Sequence, residues 1–87
     1  MIVKEKPVVV VTGASAGVGR AVALNFARHG WRVALLARGR ARLKSVAAEI
    51  QAAGGETLEL SADVADAAAI EAAAERVLGA WGKIDVW

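Results

Sequence analysis

A glycine-rich segment, Thr12-Gly13-Ala14-Ser15-Ala16-Gly17-Val18-Gly19, decides the interpretation of this sequence. Four consecutive valines, Val8–Val11, precede it, and a stretch from about Val18 to His29 with helical spacing of apolar residues follows it. Unbroken runs of β-branched residues are typical of strands that are buried on both faces, as in parallel sheets. We therefore predict a tight turn that joins a buried strand to an amphipathic helix.

The rest of the chain repeats this alternation of strand and helix. The further elements predicted are a strand over 31–37, a helix over 40–53, a strand over 56–62, a helix that begins after the N-cap Asp66, and a strand that starts at Lys83. The order β-α-β-α-β-α-β predicts an α/β fold with a doubly wound parallel sheet of the Rossmann type. Residues 1–87 are interpreted as the N-terminal half of such a domain, because the chain ends within the predicted fourth strand.

Apolar spacing also predicts which helix faces are buried. The predicted apolar faces are Val18, Val22 and Phe26 in the first helix, with Ala23 and Ala27 beside them, Leu43, Val46, Ala47 and Ile50 in the second, and Ile70, Val77, Leu78 and Trp81 in the third. Trp87 is also expected in the core. Asp85 is expected near a strand end with a hydrogen-bond partner, because a carboxylate that is buried without one is costly.

Composition limits the classes of function. The 87 residues carry a net charge of +2, which favours a small anionic ligand at least as much as a nucleic acid. The chain has no cysteine, so disulfides and thiolate metal sites are excluded and a cytoplasmic location is expected. The segment 1–7 does not resemble a signal peptide, and no stretch approaches the roughly 20 apolar residues of a membrane helix.

The glycines of the turn have a physical purpose. A helix N-terminus offers unpaired backbone N–H groups and the positive end of the helix dipole, so a pyrophosphate can bind there if no side chain blocks it. Gly13 is expected to allow the tight exit from the strand, Gly17 to let the ligand approach, and Gly19 to let the helix pack on the sheet.

The spacing Gly13-x-x-x-Gly17-x-Gly19, with Thr12 before it and Ser15 within it, resembles the Thr-Gly-x-x-x-Gly-x-Gly motif of the short-chain dehydrogenase/reductase family. The resemblance implies an oxidoreductase that transfers a hydride between a nicotinamide dinucleotide and a carbonyl or alcohol carbon. The cofactor-binding residues expected are Gly13, Ser15, Ala16, Gly17, Val18, Gly19, Arg38, Asp63 and Val64. A structural turn without a ligand is the alternative.

Arg38 predicts the choice of cofactor. It lies 19 residues after Gly19 (38 − 19), where an acidic residue would hold a ribose 2′-hydroxyl, and no acidic residue occurs there before Glu49. A guanidinium can pair with the 2′-phosphate of NADP, and Ser15 can add a hydrogen bond. We therefore expect NADP rather than NAD, although Arg38 could also be a solvated surface residue.

Asp63-Val64 follows the third predicted strand. The resemblance implies that this pair lies against the adenine, with the Asp63 carboxylate accepting a hydrogen bond from the exocyclic amine. The alternative is that Asp63 only starts the turn into the third helix.

No catalytic residue is assigned within this chain. The resemblance implies a tyrosine acid/base with a lysine, a serine and an asparagine, but the chain has no tyrosine. We expect catalysis, the small-molecule substrate and a homo-oligomeric interface to belong to a longer parent protein. The alternatives are a stand-alone nucleotide-binding module without catalysis, or a flavodoxin-like domain with another phosphate ligand. No metal, nucleic acid or membrane is expected as a partner.

Overall fold

Three parallel strands form a single sheet in the computed structural model, which describes residues 6–87. The elements are β1 (Val8–Thr12), α1 (Gly17–Arg28), β2 (Arg32–Ala37), α2 (Arg40–Ala52), β3 (Thr57–Ser61) and α3 (Ala67–Trp81). This order confirms the predicted alternation from the first strand to the third helix. Each boundary lies within two residues of its prediction. The first five residues of the predicted domain lie outside the described part of the chain.

The strands are arranged β1-β2-β3, and their register brings the carboxyl ends together. Thr12 at the end of β1 pairs with Leu36, and Ala37 at the end of β2 pairs with Ser61. Parallel pairing requires a crossover between successive strands, and α1 and α2 supply those crossovers. The loops that follow the three strands therefore meet at one edge of the sheet.

Helices cover both faces of the sheet, which confirms the doubly wound fold. One buried cluster joins alternate residues of β1 and β2, such as Val9 and Leu35, to α1 and α2. The other joins the intervening residues, such as Val10 and Leu36, to α3. This two-sided burial explains why β1 and β2 are apolar at nearly every position, since neither face of either strand meets water.

The predicted fourth strand is present only as a single parallel bridge between Val86 and Val9. Around that bridge, the Val10 N–H donates to the Val86 carbonyl at 2.9 Å, and the N–H groups of Asp85 and Val86 both donate to the Val8 carbonyl. Because β2 already occupies one edge of β1, this segment lies along the other edge. After β1, the chain adds β2 and β3 on one side, whereas the segment at Val86 lies on the other side, so the direction in which strands are added reverses at β1.

A side chain explains why the fourth segment is not a regular strand at its start. Asp85 Oδ2 accepts a hydrogen bond from the Val8 backbone N–H at 2.7 Å. A carboxylate oxygen therefore takes the place of the carbonyl that a ladder would present to this amide. The expected partner for Asp85 is confirmed. The prediction of a strand that begins at Lys83 is wrong.

The predicted helix faces are correct for α2, where all four residues are buried, and only partly correct elsewhere. Val18 is 80% exposed, and Val22, Leu78 and Trp87 are exposed as well. The buried residue of α1 is Ala23, with Leu24, Phe26 and Ala27 packed partly against the core. A small side chain lets α1 approach the sheet closely, and this rotates Val18 and Val22 away from the core.

No helix within residues 6–87 combines the length and the apolar character that a membrane crossing requires.

We expect the Asp85 interaction to make stability depend on pH in the acidic range. The hydrogen bond from the Val8 N–H, and then the one from Lys83, lower the pKa of Asp85 below its ordinary value of 3.8. A carboxyl with a lowered folded pKa stabilises the fold above 3.8, and that contribution is lost as the pH falls through the folded pKa. Asp85→Asn should therefore unfold at a lower temperature than wild type at neutral pH, with the gap narrowing below pH 3.8.

Thermal unfolding followed by circular dichroism at several pH values measures this gap. The control is Glu71→Gln, which removes an exposed carboxylate from α3 that makes no ion pair within residues 6–87. A gap between wild type and Asp85→Asn that stays constant across the acidic range would contradict the assignment.

Candidate functional site

The glycine-rich turn lies at the carboxyl edge of the sheet, next to the place where the strand order reverses. In open α/β sheets, ligands bind in the crevice outside the carboxyl ends of the strands at such a reversal. The turn spans 13–16, between the end of β1 and the start of α1. The fold therefore presents the predicted binding segment where a ligand crevice is expected.

The backbone of the turn uses its glycines in two different ways. Gly13 and Gly17 have φ values of +63° and +57°, in a region of backbone conformation that residues other than glycine rarely adopt. Gly19 has no such φ value, but a Cβ built on it would lie 2.0 Å from the carbonyl oxygen of Gly13. The first turn of α1 thus packs directly on the backbone that leaves β1, as the sequence predicted for Gly19.

The N-terminus of α1 is left open to a ligand. The N-cap is Ala16, which makes no side-chain hydrogen bond to the helix, and the first turn contains no acidic residue. By contrast, the predicted N-cap of α3 is confirmed, because the Asp66 carboxylate accepts a hydrogen bond from the Ala69 N–H at 3.1 Å. Unpaired N–H groups at the positive end of a helix dipole form a site that suits a phosphate.

A groove of about 290 Å³ runs from the turn across the ends of β2 and β3. Its lining residues are Gly13, Ser15, Ala37, Arg38, Gly39, Ala62 and Val64. Four of the nine predicted residues, from three separate loops, therefore line one groove. Ala16, Gly17, Val18 and Gly19 begin the adjoining helix, and Asp63 lies between two lining residues.

Three lining residues, Ala37, Gly39 and Ala62, were missed by the sequence analysis. Each has a small side chain or none, so no chemical group distinguishes it in the sequence. Their position is the signal that could have identified them, because Ala37 ends β2, Gly39 lies two residues after it and Ala62 directly follows β3. They leave room for a flat ligand between the loops.

Arg38 is exposed at the end of β2, with its backbone held in place. The Ser61 hydroxyl donates to the Arg38 carbonyl oxygen at 3.1 Å, which ties the loop after β2 to the end of β3. Within residues 6–87, no carboxylate forms an ion pair with the Arg38 guanidinium. The group therefore remains available to an anionic ligand in the groove.

Asp63 supports the turn into α3. Its Oδ1 accepts a hydrogen bond from the Ala65 N–H at 2.9 Å, and its carbonyl accepts one from the Asp66 N–H. Asp63 therefore does start the turn into α3, which was the alternative role expected from the sequence. Oδ2 accepts no hydrogen bond from the described residues, so one carboxylate oxygen is left to receive a ligand amine.

Within residues 6–87, no group of three or more histidine, aspartate or glutamate side chains could hold a metal ion. The chemistry that this site supports is the binding of a flat molecule with phosphate groups.

The sequence model of the family described as short chain dehydrogenase matches residues 7–87. The chain belongs to this family. A curated relative, Probable oxidoreductase EphD of Mycobacterium tuberculosis (strain ATCC 25618 / H37Rv), is 46% identical over 76 residues, which make up 87% of this chain and 13% of that protein.

Solved structures agree with the family and the fold. A metagenomic short-chain oxidoreductase in complex with NADP is 45% identical with a TM-score of 0.88, over 94% of this chain and 37% of that one. A short chain dehydrogenase/reductase from Burkholderia phymatum in complex with NAD is 33% identical with a TM-score of 0.89, over 97% of this chain and 30% of that one. The chain thus spans about a third of these short-chain dehydrogenase structures.

The close approach of Gly19 to the Gly13 carbonyl predicts how substitutions change the free energy of unfolding. Gly19→Ala would place a methyl group against the Gly13 carbonyl, and overpacking of this kind costs roughly 1–3 kcal/mol of unfolding free energy. The matched control is Gly79→Ala, at an exposed position in α3 with open space around the added atom. That change should stabilise the fold by about 0.5–1 kcal/mol, because alanine is the better helix former. Urea unfolding followed by circular dichroism measures both, and similar values for the two variants would disprove the contact.

Proposed function

We propose that residues 1–87 form the cofactor-binding part of an NADP-dependent short-chain dehydrogenase. The observation that carries this proposal is one groove lined both by the glycine turn and by Arg38. The turn leads into an uncapped helix that can receive the pyrophosphate, while the guanidinium can receive a further phosphate. Membership of the family supports a nicotinamide dinucleotide as the ligand.

The preference for NADP rests on the chemistry of the loop after β2. A carboxylate at this position would accept from the ribose 2′-hydroxyl and repel a 2′-phosphate. The loop instead carries Arg38, whose guanidinium makes no ion pair within the described residues. The family includes structures in complex with NADP and with NAD, so this residue, rather than the family, supports the preference.

Each predicted residue has a role in the proposal. Gly13 and Gly17 shape the turn, and the amides of Gly17, Val18 and Gly19 face the pyrophosphate. Ser15 and Arg38 bind the 2′-phosphate. Asp63 and Val64 contact the adenine, with Asp63 Oδ2 as the acceptor and Val64, which is 61% exposed, offering an apolar surface. Ala16, whose side chain ends at Cβ, leaves the helix amides uncovered.

The reaction itself is proposed for the whole protein. When bound, the nicotinamide would donate a hydride to a carbonyl carbon, which is thereby reduced, or accept a hydride from an alcohol carbon, which is thereby oxidised. Residues 1–87 bind and orient the dinucleotide, and the proton is handled by residues outside them, since this chain has no tyrosine. A small-molecule substrate, a homo-oligomeric assembly and a cytoplasmic location belong to the same proposal, on the family resemblance.

Arg38→Ala tests the cofactor preference. Removing a charge-assisted contact of about 1.5–3 kcal/mol should weaken NADP binding by roughly ten- to a hundredfold. NAD binding should change little, because NAD lacks the 2′-phosphate. The control is Arg42→Ala, which removes an exposed arginine of α2 that does not line the groove. Calorimetric titration with both dinucleotides measures the ratio, and equal losses for NADP and NAD in Arg38→Ala would refute the preference.

Gly17→Ala tests the role of the turn. Both Gly17 and Gly54 have positive φ, so an alanine at either position should cost about 1–2 kcal/mol of stability. Only Gly17 adjoins the groove, so Gly17→Ala should weaken dinucleotide binding by about tenfold, the equivalent of one lost charge-assisted contact. Gly54→Ala should bind as wild type does. If both variants bind equally well at a temperature where both are folded, the pyrophosphate is not bound at this turn.

A further inference from the structure

A second groove, larger than the first, runs along the open edge of the sheet. Its volume is about 470 Å³, against about 290 Å³ for the groove at the glycine turn. Its lining residues are Arg40, Leu43, Lys44, Glu59, Ser61 and Arg76. No residue lines both grooves, and the proposed dinucleotide site uses none of these six side chains.

Three cations from both sides of the sheet converge on this groove. Arg40 and Lys44 are four residues apart on α2 and so share a helix face. Arg76 comes from α3, which packs on the opposite face of the sheet, and reaches the same groove around β3. Because β3 is the last strand of the sheet, nothing else in residues 6–87 separates the two helices there.

These cations have no carboxylate partners within the described residues. The ion pairs there are Lys6–Glu56, Arg20–Glu49, Arg32–Glu56 and Lys83–Asp85. Glu59 lies in the groove but pairs with none of the three cations. The lining therefore carries a net charge of +2, from three cations and one carboxylate (3 − 1). Such a cluster attracts anions and repels other cations.

Edge protection alone does not explain this arrangement. Cations beside an open strand discourage two sheets from pairing at their edges. That role needs only charge near the edge. The groove instead gathers the three cations over a buried side chain, Leu43, and places two hydrogen-bonding side chains, Glu59 and Ser61, between them.

We propose that this groove binds a small phosphorylated molecule that also carries hydroxyl groups, of the sugar-phosphate class. Arg40, Lys44 and Arg76 bind the phosphate oxygens, as guanidinium and ammonium groups do. Glu59 accepts a hydrogen bond from a ligand hydroxyl. The Ser61 hydroxyl already donates to the Arg38 carbonyl, so it accepts from the ligand. This site is independent of the proposed function.

One hydrogen bond links the walls of the two grooves. Ser61 lines the basic groove, and its hydrogen bond holds the carbonyl of Arg38, which lines the dinucleotide groove. A ligand that contacts Ser61 in the basic groove therefore lies one hydrogen bond away from Arg38, and it does not occupy the space of the dinucleotide groove.

Calorimetric titration of the protein with fructose 1,6-bisphosphate tests the proposal, with fructose and inorganic pyrophosphate as comparison ligands. Each titration is made without and with saturating NADP, and the pyrophosphate comparison uses the NADP-loaded protein, in which the glycine turn is occupied. We expect saturable binding of the bisphosphate, no binding of fructose and weaker binding of pyrophosphate, which has no hydroxyl for Glu59. A saturating concentration of NADP should not displace the bisphosphate. Failure of NADP to bind at all would contradict the proposed function but leave this site untouched.

Single variants locate the site. Arg40→Gln, Lys44→Gln and Arg76→Gln should each weaken bisphosphate binding by about two- to fivefold, as expected for a solvated charge pair. Arg42→Gln is the matched control, since it removes an exposed α2 cation that does not line the groove. Glutamine is a good helix former, so all four variants should fold.

The expected result is a loss in the three groove variants and unchanged binding in Arg42→Gln. Equal losses in all four would show a diffuse charge effect and overturn the proposal. Three other results would overturn the proposal as well. These are a bisphosphate that shows no saturable binding, pyrophosphate that binds as strongly as the bisphosphate, and NADP that displaces the bisphosphate.

Discussion

The first turn of α1 rests on the backbone that leads into it, and the candidate site depends on this contact. Because Gly19 has no side chain, the helix starts immediately above the end of β1, against the Gly13 carbonyl. Ala23, one turn later, is fully buried and continues the close approach. The amide groups at the start of α1 are thereby carried to the carboxyl edge of the sheet, where the loops after β2 and β3 complete a groove.

Within residues 6–87, three ion pairs lie at the amino ends of the strands, and a group of cations without such partners follows the carboxyl ends. At the amino ends of the strands, Glu56 pairs with both Lys6 and Arg32, and Asp85 pairs with Lys83. Beyond the carboxyl ends, the arginines and the lysine of the segment 38–44 have no carboxylate partners within the described residues. Cations without an ion-pair partner attract anions, so these four side chains favour an anionic ligand at the end of the sheet that holds the groove.

Much of the fold was predictable because strong local patterns agreed with the tertiary structure. The valine run gave β1, Asp66 gave the start of α3, and the periodic apolar face of α2 is fully buried. The predicted face of α1 was wrong at Val18 and Val22, which are exposed, because the buried side is centred on Ala23, and spacing alone does not rank small against large residues. Local patterns also could not show that β3 would be an open edge, which depends on contacts between distant segments.

The residues of the candidate site could be predicted where they have a functional side chain or belong to the glycine motif. Gly13, Ser15, Arg38 and Val64 were identified from the sequence and line one groove. Ala37, Gly39 and Ala62 could not be found in this way, because they contribute space and not a functional group. The basic groove combines residues from α2, β3 and α3 that are up to 36 positions apart (76 − 40), and no sequence motif connects them.

The carboxylate that meets the Val8 amide has a consequence for how further strands could join this sheet. A backbone carbonyl recurs at every residue, so two strands paired only through their backbones can slide past each other. A side-chain acceptor occurs once. The segment that carries Asp85 can therefore bring this carboxylate to the first amide of β1 in a single alignment, and a slip in either direction would break that hydrogen bond. One ionised oxygen thus fixes the point from which the sheet would be extended on that side.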